Sequence, residues 1–154
     1  MSAPRVIHGM ARRLELVFAT CGYIGYLPFA PGTWASLLGC VLLYVLPGIL
    51  NNPVLVIALA VAAVLCINRM DLPEKDPGYI VVDELAGMCV TMLGQGTGVS
   101  SLLKGFILFR IFDILKPFPI RRIEGLPKGY GIVADDIVAG IYANAALLLL
   151  GRLR

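Results

Sequence analysis

Six apolar stretches, at about 14–30, 34–50, 53–67, 79–93, 102–116 and 132–150, take up most of this 154-residue chain and leave the charges to the segments between them. Only 15% of the residues are charged and 58% are hydrophobic, against roughly 25% charged in an ordinary soluble domain. A chain with this pattern has more apolar surface than a core of its own could hide, so lipid is the expected solvent. The stretches approach the roughly 20 residues of a spanning helix. The expected fold is therefore all-α: a polytopic membrane helix bundle of about five spanning helices, forming one integral-membrane domain over residues 1–154. The first stretch is rich in Gly and Tyr and broken by Pro28 and Pro31, which marks it as a short N-terminal interfacial or re-entrant segment. Arg5, Arg12 and Arg13 precede it as they would a signal peptide. Glu15 interrupts the apolar run and the chain continues directly into the next stretch, so cleavage is not expected.

Charge then orients the bundle. Loops 68–78 and 117–131 carry Arg69, Lys75, Arg121, Arg122 and Lys128, whereas the turns at 47–53 and 94–101 carry none. By the positive-inside rule the basic loops and the N-terminus face the cytoplasm; the C-terminal Arg-Leu-Arg, exiting on the other side, is an exception. A net charge of +3 spread over several loops fits an anionic lipid surface and not a nucleic acid. The four cysteines stand singly in apolar segments, which indicates buried thiols, with neither a zinc site nor a disulfide framework.

Against this background two segments stand out, "GYIVVDE" at 78–84 and "GYGIVADD" at 129–136. Each runs from a Gly-Tyr turn through Ile-Val and a small or apolar residue into two adjacent acids, then into an apolar segment. The topology puts both acid pairs about one turn into helices that leave the cytoplasm. On a returning helix, "FRIFDILKP" spaces Arg110, Asp113 and Lys116 at intervals of three, on one face. An unpaired charge in a bilayer costs roughly 3 kcal/mol even on lenient scales, so these groups must face inward and be compensated. Small residues provide for that: Gly87 follows Asp83 by four, and Gly140, Ala143 and Asn144 follow Asp136 by four, seven and eight, a stripe along which helices approach closely.

Five acids against two intramembrane bases leave a deficit that a divalent cation would fill. Carboxylates without His or Cys favour a hard ion such as magnesium, which completes its shell with water and phosphate. The basic rim of Lys116, Arg121, Arg122 and Lys128 suits a phosphate substrate. Arg122, Glu124 and Lys128 read otherwise as a solvated face, and Arg110, Asp113 and Lys116 as a self-neutralised ladder. Thr33, in "APGTWAS", is either a helix cap or a phosphate contact. No Cys-x5-Arg nucleophile or Walker loop is present, and the single His8 lies outside every span, which leaves metal-assisted water or one of the acids to do the chemistry. A cation- or proton-coupled transporter would use buried acids too, but nearer the midplane. A transferase acting on a nucleotide-activated lipid would show a spaced Asp-Gly and Asp-x3-Asp pattern that is absent.

"APGTWASL", "DPGYIVVDELAGM", "FRIFDILKPFPIRRIE" and "GYGIVADDIVAGIYA" occur in the order and spacing of one family: over about residues 14–148 the chain resembles the bacterial phosphatidylglycerophosphatase A enzymes. The resemblance implies magnesium-dependent removal of the terminal phosphate of phosphatidylglycerophosphate, at the cytoplasmic side of the bacterial inner membrane. Carried over residue by residue, it marks Asp76, Asp83, Glu84, Arg110, Asp113, Lys116, Arg121, Asp135 and Asp136, with Thr33 and Ser36, and leaves open which acid holds metal and which acts on water; Asp83, Glu84, Asp113, Asp135 and Asp136 are the catalytic candidates. The candidate substrate contacts are Thr33, Ser36, Arg110, Lys116 and Arg121, and the candidate metal ligands are Asp83, Glu84, Asp135, Asp136 and Asp76. One departure is "CGYIGYLPFA" before the first motif, with Ile24 and Leu27 where small or hydroxyl residues are usual. No residue pattern points to an oligomeric state.

Overall fold

The computed structural model describes residues 5–152 and, among them, contains helices and no strand. Met1–Pro4 and the last two residues of the C-terminal Arg-Leu-Arg lie outside the described residues. The helices are α1 (Arg5–Ala19), α2 (Pro31–Val45), α3 (Pro47–Leu50), α4 (Pro53–Arg69), α5 (Val82–Met92), α6 (Val99–Leu115), α7 (Ile120–Ile123) and α8 (Gly129–Arg152), with a 3-10 turn at Ile24–Tyr26. The all-helical expectation holds. Its first stretch does not form one unit: α1 starts earlier, ends at Ala19, and is followed by a turn in which Cys21, Tyr23, Phe29 and Ala30 all have positive φ.

Of the five helices expected to span, α8 is long and apolar enough to cross a membrane; its 24 residues make about 36 Å. The apolar helices α2 and α4 are shorter. With 11 residues, α5 reaches only about 16 Å, and it is buried on most of its faces. The outer surfaces of the longer helices expose large apolar side chains, among them Val54 at 70% and Ile114 at 66%, far more than a water-facing surface carries in one place.

The central contact is α5 against α8, and it runs parallel. Asp83 and Asp136 meet at one end, and at the other the Asn144 side chain donates to the carbonyls of Val90, Thr91 and Leu93 at 3.3, 2.9 and 2.8 Å. Midway, a Cβ on Gly87 would lie 2.8 Å from the Asp136 carbonyl and 2.6 Å from the Phe109 ring. The small residues are thus where the backbones touch. The buried cluster of Leu43, Met88, Met92, Leu102, Phe109, Ala139, Ala143 and Leu147 ties α2, α5, α6 and α8 together, and α6 runs opposite to the other three. A second cluster, including Ala63, Ile67, Ile80 and Val133, brings α4 against α5 and α8. At the far end Asn51 clamps the 94–95 turn through the Gln95 carbonyl at 3.0 Å and the Gly94 N–H at 2.9 Å.

Asn144 closes the C-terminus of α5, whose last carbonyls have no partner within their own helix. Asn144→Leu is expected to destabilise the protein by about 1–3 kcal/mol, the scale of buried acceptors left unsatisfied. Thermal unfolding in detergent measures it.

Candidate active site

The parallel run of α2, α5 and α8, with α6 returning between them, brings the starts of α2 and α5, the second turn of α8 and the end of α6 to one end of the bundle. A cavity of about 250 Å³ lies there, and its wall includes Asp76, Asp83, Glu84, Arg110, Asp113, Lys116, Asp135 and Asp136. Eight of the residues singled out in the sequence are therefore gathered in one place, from four separate segments. Thr33, Ser36 and Arg121 are not part of that wall. The Ser36 hydroxyl donates to the Gly32 carbonyl at 2.8 Å, one turn back in α2. Thr33 is not the helix cap, because α2 starts at Pro31 after a left-handed Ala30, which places Thr33 inside the first turn. Arg121 is exposed on α7.

The two acid pairs are not equivalent in position. Asp83 and Glu84 lie in the first turn of α5, whereas Asp136 is the eighth residue of α8, about 10 Å along its axis. The Val81 N–H donates to the Ala19 carbonyl at 2.9 Å, which holds residue 81 outside the helix, at φ −144° and ψ 7°, and delays the start of α5. In the second copy the helix starts at Gly129.

Their partners differ as well. Asp135 pairs with Lys116, Nζ to Oδ2 at 2.7 Å, and its other oxygen accepts the Asp136 N–H at 3.0 Å. Lys116 also reaches Glu124 at 2.8 Å, and it does so from a left-handed backbone, φ 43°, at the C-terminus of α6. Arg110 pairs with Asp113 at 2.7 Å. Asp83 Oδ1, Glu84 Oε2 and Asp136 Oδ2 are buried with no hydrogen-bond partner. One oxygen from each of these three residues falls within 4.8 Å of the other two. At the mouth, Asp76 has lost enough water to push its carboxyl above the ordinary value; Lys116 pulls it back, and Glu124 and Asp113 add to the rise.

Three unsatisfied carboxylates at this separation repel one another and each lacks the bonds that burial demands. A hard divalent cation satisfies all three at once, and all-oxygen donors are the set such an ion takes. The residues present therefore fit a metal ion. A cation there would also offset the charge of a cavity lined by six carboxylates and two cations, which by itself repels a phosphate dianion.

Gly32 escaped notice in the sequence, where "PGT" reads as a helix start. A Cβ on Gly32 would collide with the Glu84 carboxylate and lie 3.3 Å from Arg110 Nη1, so its missing side chain is the space that Glu84 occupies. Glu124, read as a solvated face, proves to be the second partner of Lys116. No local spacing announces either contact.

The fold and the cavity together define a class: a small helical bundle with an apolar exterior and, at one end, a polyanionic pocket able to hold a metal ion. The chain belongs to the phosphatidylglycerophosphatase A family, whose family model matches residues 17–151. It is 40% identical over 121 residues to Phosphatidylglycerophosphatase A of Haemophilus influenzae, covering 74% of each chain. It is 35% identical over 134 residues to the Escherichia coli protein of the same name, covering 83% of this chain and 78% of that one. A Putative phosphatidylinositol-3-phosphatase of Bacteroides thetaiotaomicron is 33% identical over 130 residues, covering 77% and 82%. No solved structure matches the chain.

Proposed function

We propose that this protein hydrolyses the terminal phosphomonoester of phosphatidylglycerophosphate, giving phosphatidylglycerol and phosphate, with magnesium as its cofactor. The observation that carries the reading is the set of three unpartnered carboxylate oxygens on Asp83, Glu84 and Asp136 beside Arg110 and Lys116, in a chain of this family. Asp83, Glu84 and Asp136 hold the ion, with Asp76 on the rim as a further available carboxylate. Magnesium bound there supplies Lewis-acid polarisation of the phosphoryl group and neutralises its charge. Arg110 and Lys116 donate to phosphate oxygens from the opposite wall. Asp113 orients the Arg110 guanidinium, and Asp135 orients Lys116. The overall step adds water across the phosphorus–oxygen bond: the water oxygen goes to phosphorus, and the glycerol oxygen leaves with a proton.

The bundle sits in the bacterial inner membrane with the cavity on the cytoplasmic side. In this reading α2, α4, α6 and α8 cross it, and α5 with its flanking loops completes a fifth passage. Arg69, Lys75, Arg121, Arg122 and Lys128 all belong to the cavity end, which supports that orientation. The cavity's place at the end of the bundle also favours a hydrolase over a transporter, whose acids belong near mid-length.

Phosphate release from phosphatidylglycerophosphate in detergent micelles tests the reading. Chelation of magnesium is expected to stop release and its return to restore it. Phosphatidylinositol 3-phosphate belongs in the same assay, because a relative at 33% identity bears that substrate in its name. Steady release in excess chelator removes the metal role, and release from neither lipid removes the substrate class.

A further inference from the structure

Lys116 is the one cavity cation whose ammonium is shared between two carboxylates, and the two are unlike. Asp135 is buried, with 6% of its side chain exposed, and its second oxygen is already occupied by the Asp136 N–H; Glu124 has 40% of its side chain exposed. Glu124 follows α7 in the 116–128 connection, which starts and ends on left-handed lysines, Lys116 and Lys128. The pair Lys116–Glu124 therefore closes this connection back onto the cavity rim.

Charge decides what this pairing does when an anion arrives. An ammonium between two carboxylates forms a group with a net negative charge, which repels a phosphate dianion even though the ammonium has a donor to spare. Once Glu124 withdraws, Lys116 with Asp135 is neutral and its freed donor meets an oxygen of the anion. The partner to leave is set by solvation. Glu124 regains water on release, whereas releasing Asp135 would strand a buried charge.

We propose that Glu124 is a positioning residue that serves as an internal placeholder for phosphate: it holds the Lys116 ammonium at the cavity rim between turnovers and yields it to the phosphoryl oxygens of the incoming lipid. The inference rests on the phosphatase reading above. It adds that the cost of displacing Glu124 sets how tightly the site holds phosphate, so the same residue governs release of the inorganic product.

The test compares the wild type with Glu124→Gln, Glu124→Asp and Glu74→Gln in detergent micelles, measuring KM for the lipid, kcat, and inhibition by inorganic phosphate. Glu74 is an exposed loop acid, and its substitution changes net charge by the same amount without touching Lys116. Glu124→Gln is expected to lower KM and the inhibition constant for phosphate together by about threefold to fivefold, the range of a partly exposed ion pair. Its kcat should fall as product is held longer. Glu124→Asp should return towards the wild type, and Glu74→Gln should match it. Weaker phosphate inhibition with a raised KM in Glu124→Gln would make Glu124 a brace for Lys116 and overturn the placeholder role. So would equal shifts in Glu124→Gln and Glu74→Gln, which would reduce the effect to net charge. Failure of the phosphatase reading shows separately, as absence of lipid hydrolysis by the wild type.

Discussion

Asp83→Asn and Asp136→Asn are each expected to reduce phosphate release by about a hundredfold or more, the scale of a lost ligand or charge-stabilising group at a metal-assisted site. Both proteins should remain folded, and without magnesium both should unfold at a higher temperature than the wild type. The reason is the geometry: the three carboxylates offer oxygens within 4.8 Å of one another, and those of Asp83, Glu84 and Asp136 without partners are buried. Each neutral amide removes one repelling charge from that group. Every kcal/mol so relieved raises the midpoint by about 2–4 °C in a chain of this size. Magnesium should stabilise the wild type by mass action and the variants far less. Opposite signs for activity and stability separate a metal site from ordinary core acids, whose loss would lower both. Full activity in both variants would sink the assignment.

The second large effect falls on a residue with no side chain. Gly32→Ala is expected to reduce activity to a similar extent, because the new methyl group occupies the position of the Glu84 carboxylate and crowds Arg110. Glu84 must then leave the position from which it faces Asp83 and Asp136. Helix propensity itself favours Ala over Gly by roughly 1 kcal/mol, so the fold should survive and the loss should appear as weakened magnesium affinity. Gly48→Ala is the control, since a Cβ there meets nothing within 4 Å and both activity and metal affinity should stay unchanged. A fully active Gly32→Ala protein would mean that Glu84 does not need this position.

The acids and bases of the cavity were legible because their signals are local. Arg110 and Asp113 stand three residues apart, which places them on one face of α6, whereas Lys116, expected on the same face, lies just past the helix in a left-handed conformation and still reaches the cavity. The doubled acid motif announced two related walls. It also misled, since equal sequence promised equal position, and Val81, bonded to Ala19 from 62 residues away, starts α5 late. Which carboxylate meets Lys116 depends on how α6 seats against α5 and α8, where the Phe109 ring lies over Gly87 beside the Asp136 carbonyl. Gly32 against Glu84 and Lys116 against Glu124 are likewise tertiary contacts without a periodic trace. Length was only partly legible as well: within the apolar run at 79–93 only Val82–Met92 are helical, and Ile80 ahead of the helix lines the cavity.

The enclosure of α5 has a kinetic corollary. An 11-residue helix walled in by α2, α4, α6 and α8 can expose its amides only when the bundle itself opens, so its hydrogen exchange should be among the slowest in the chain. Asp83 and Glu84 ride on that element. Asp76 and Glu124 sit instead on exposed connections that open cheaply. The floor of the cavity and its rim therefore keep different clocks: the α5 carboxylates proposed to hold the ion stay fixed, while the rim, with the Glu124 proposed to yield Lys116 to phosphate, is free to move on a faster one.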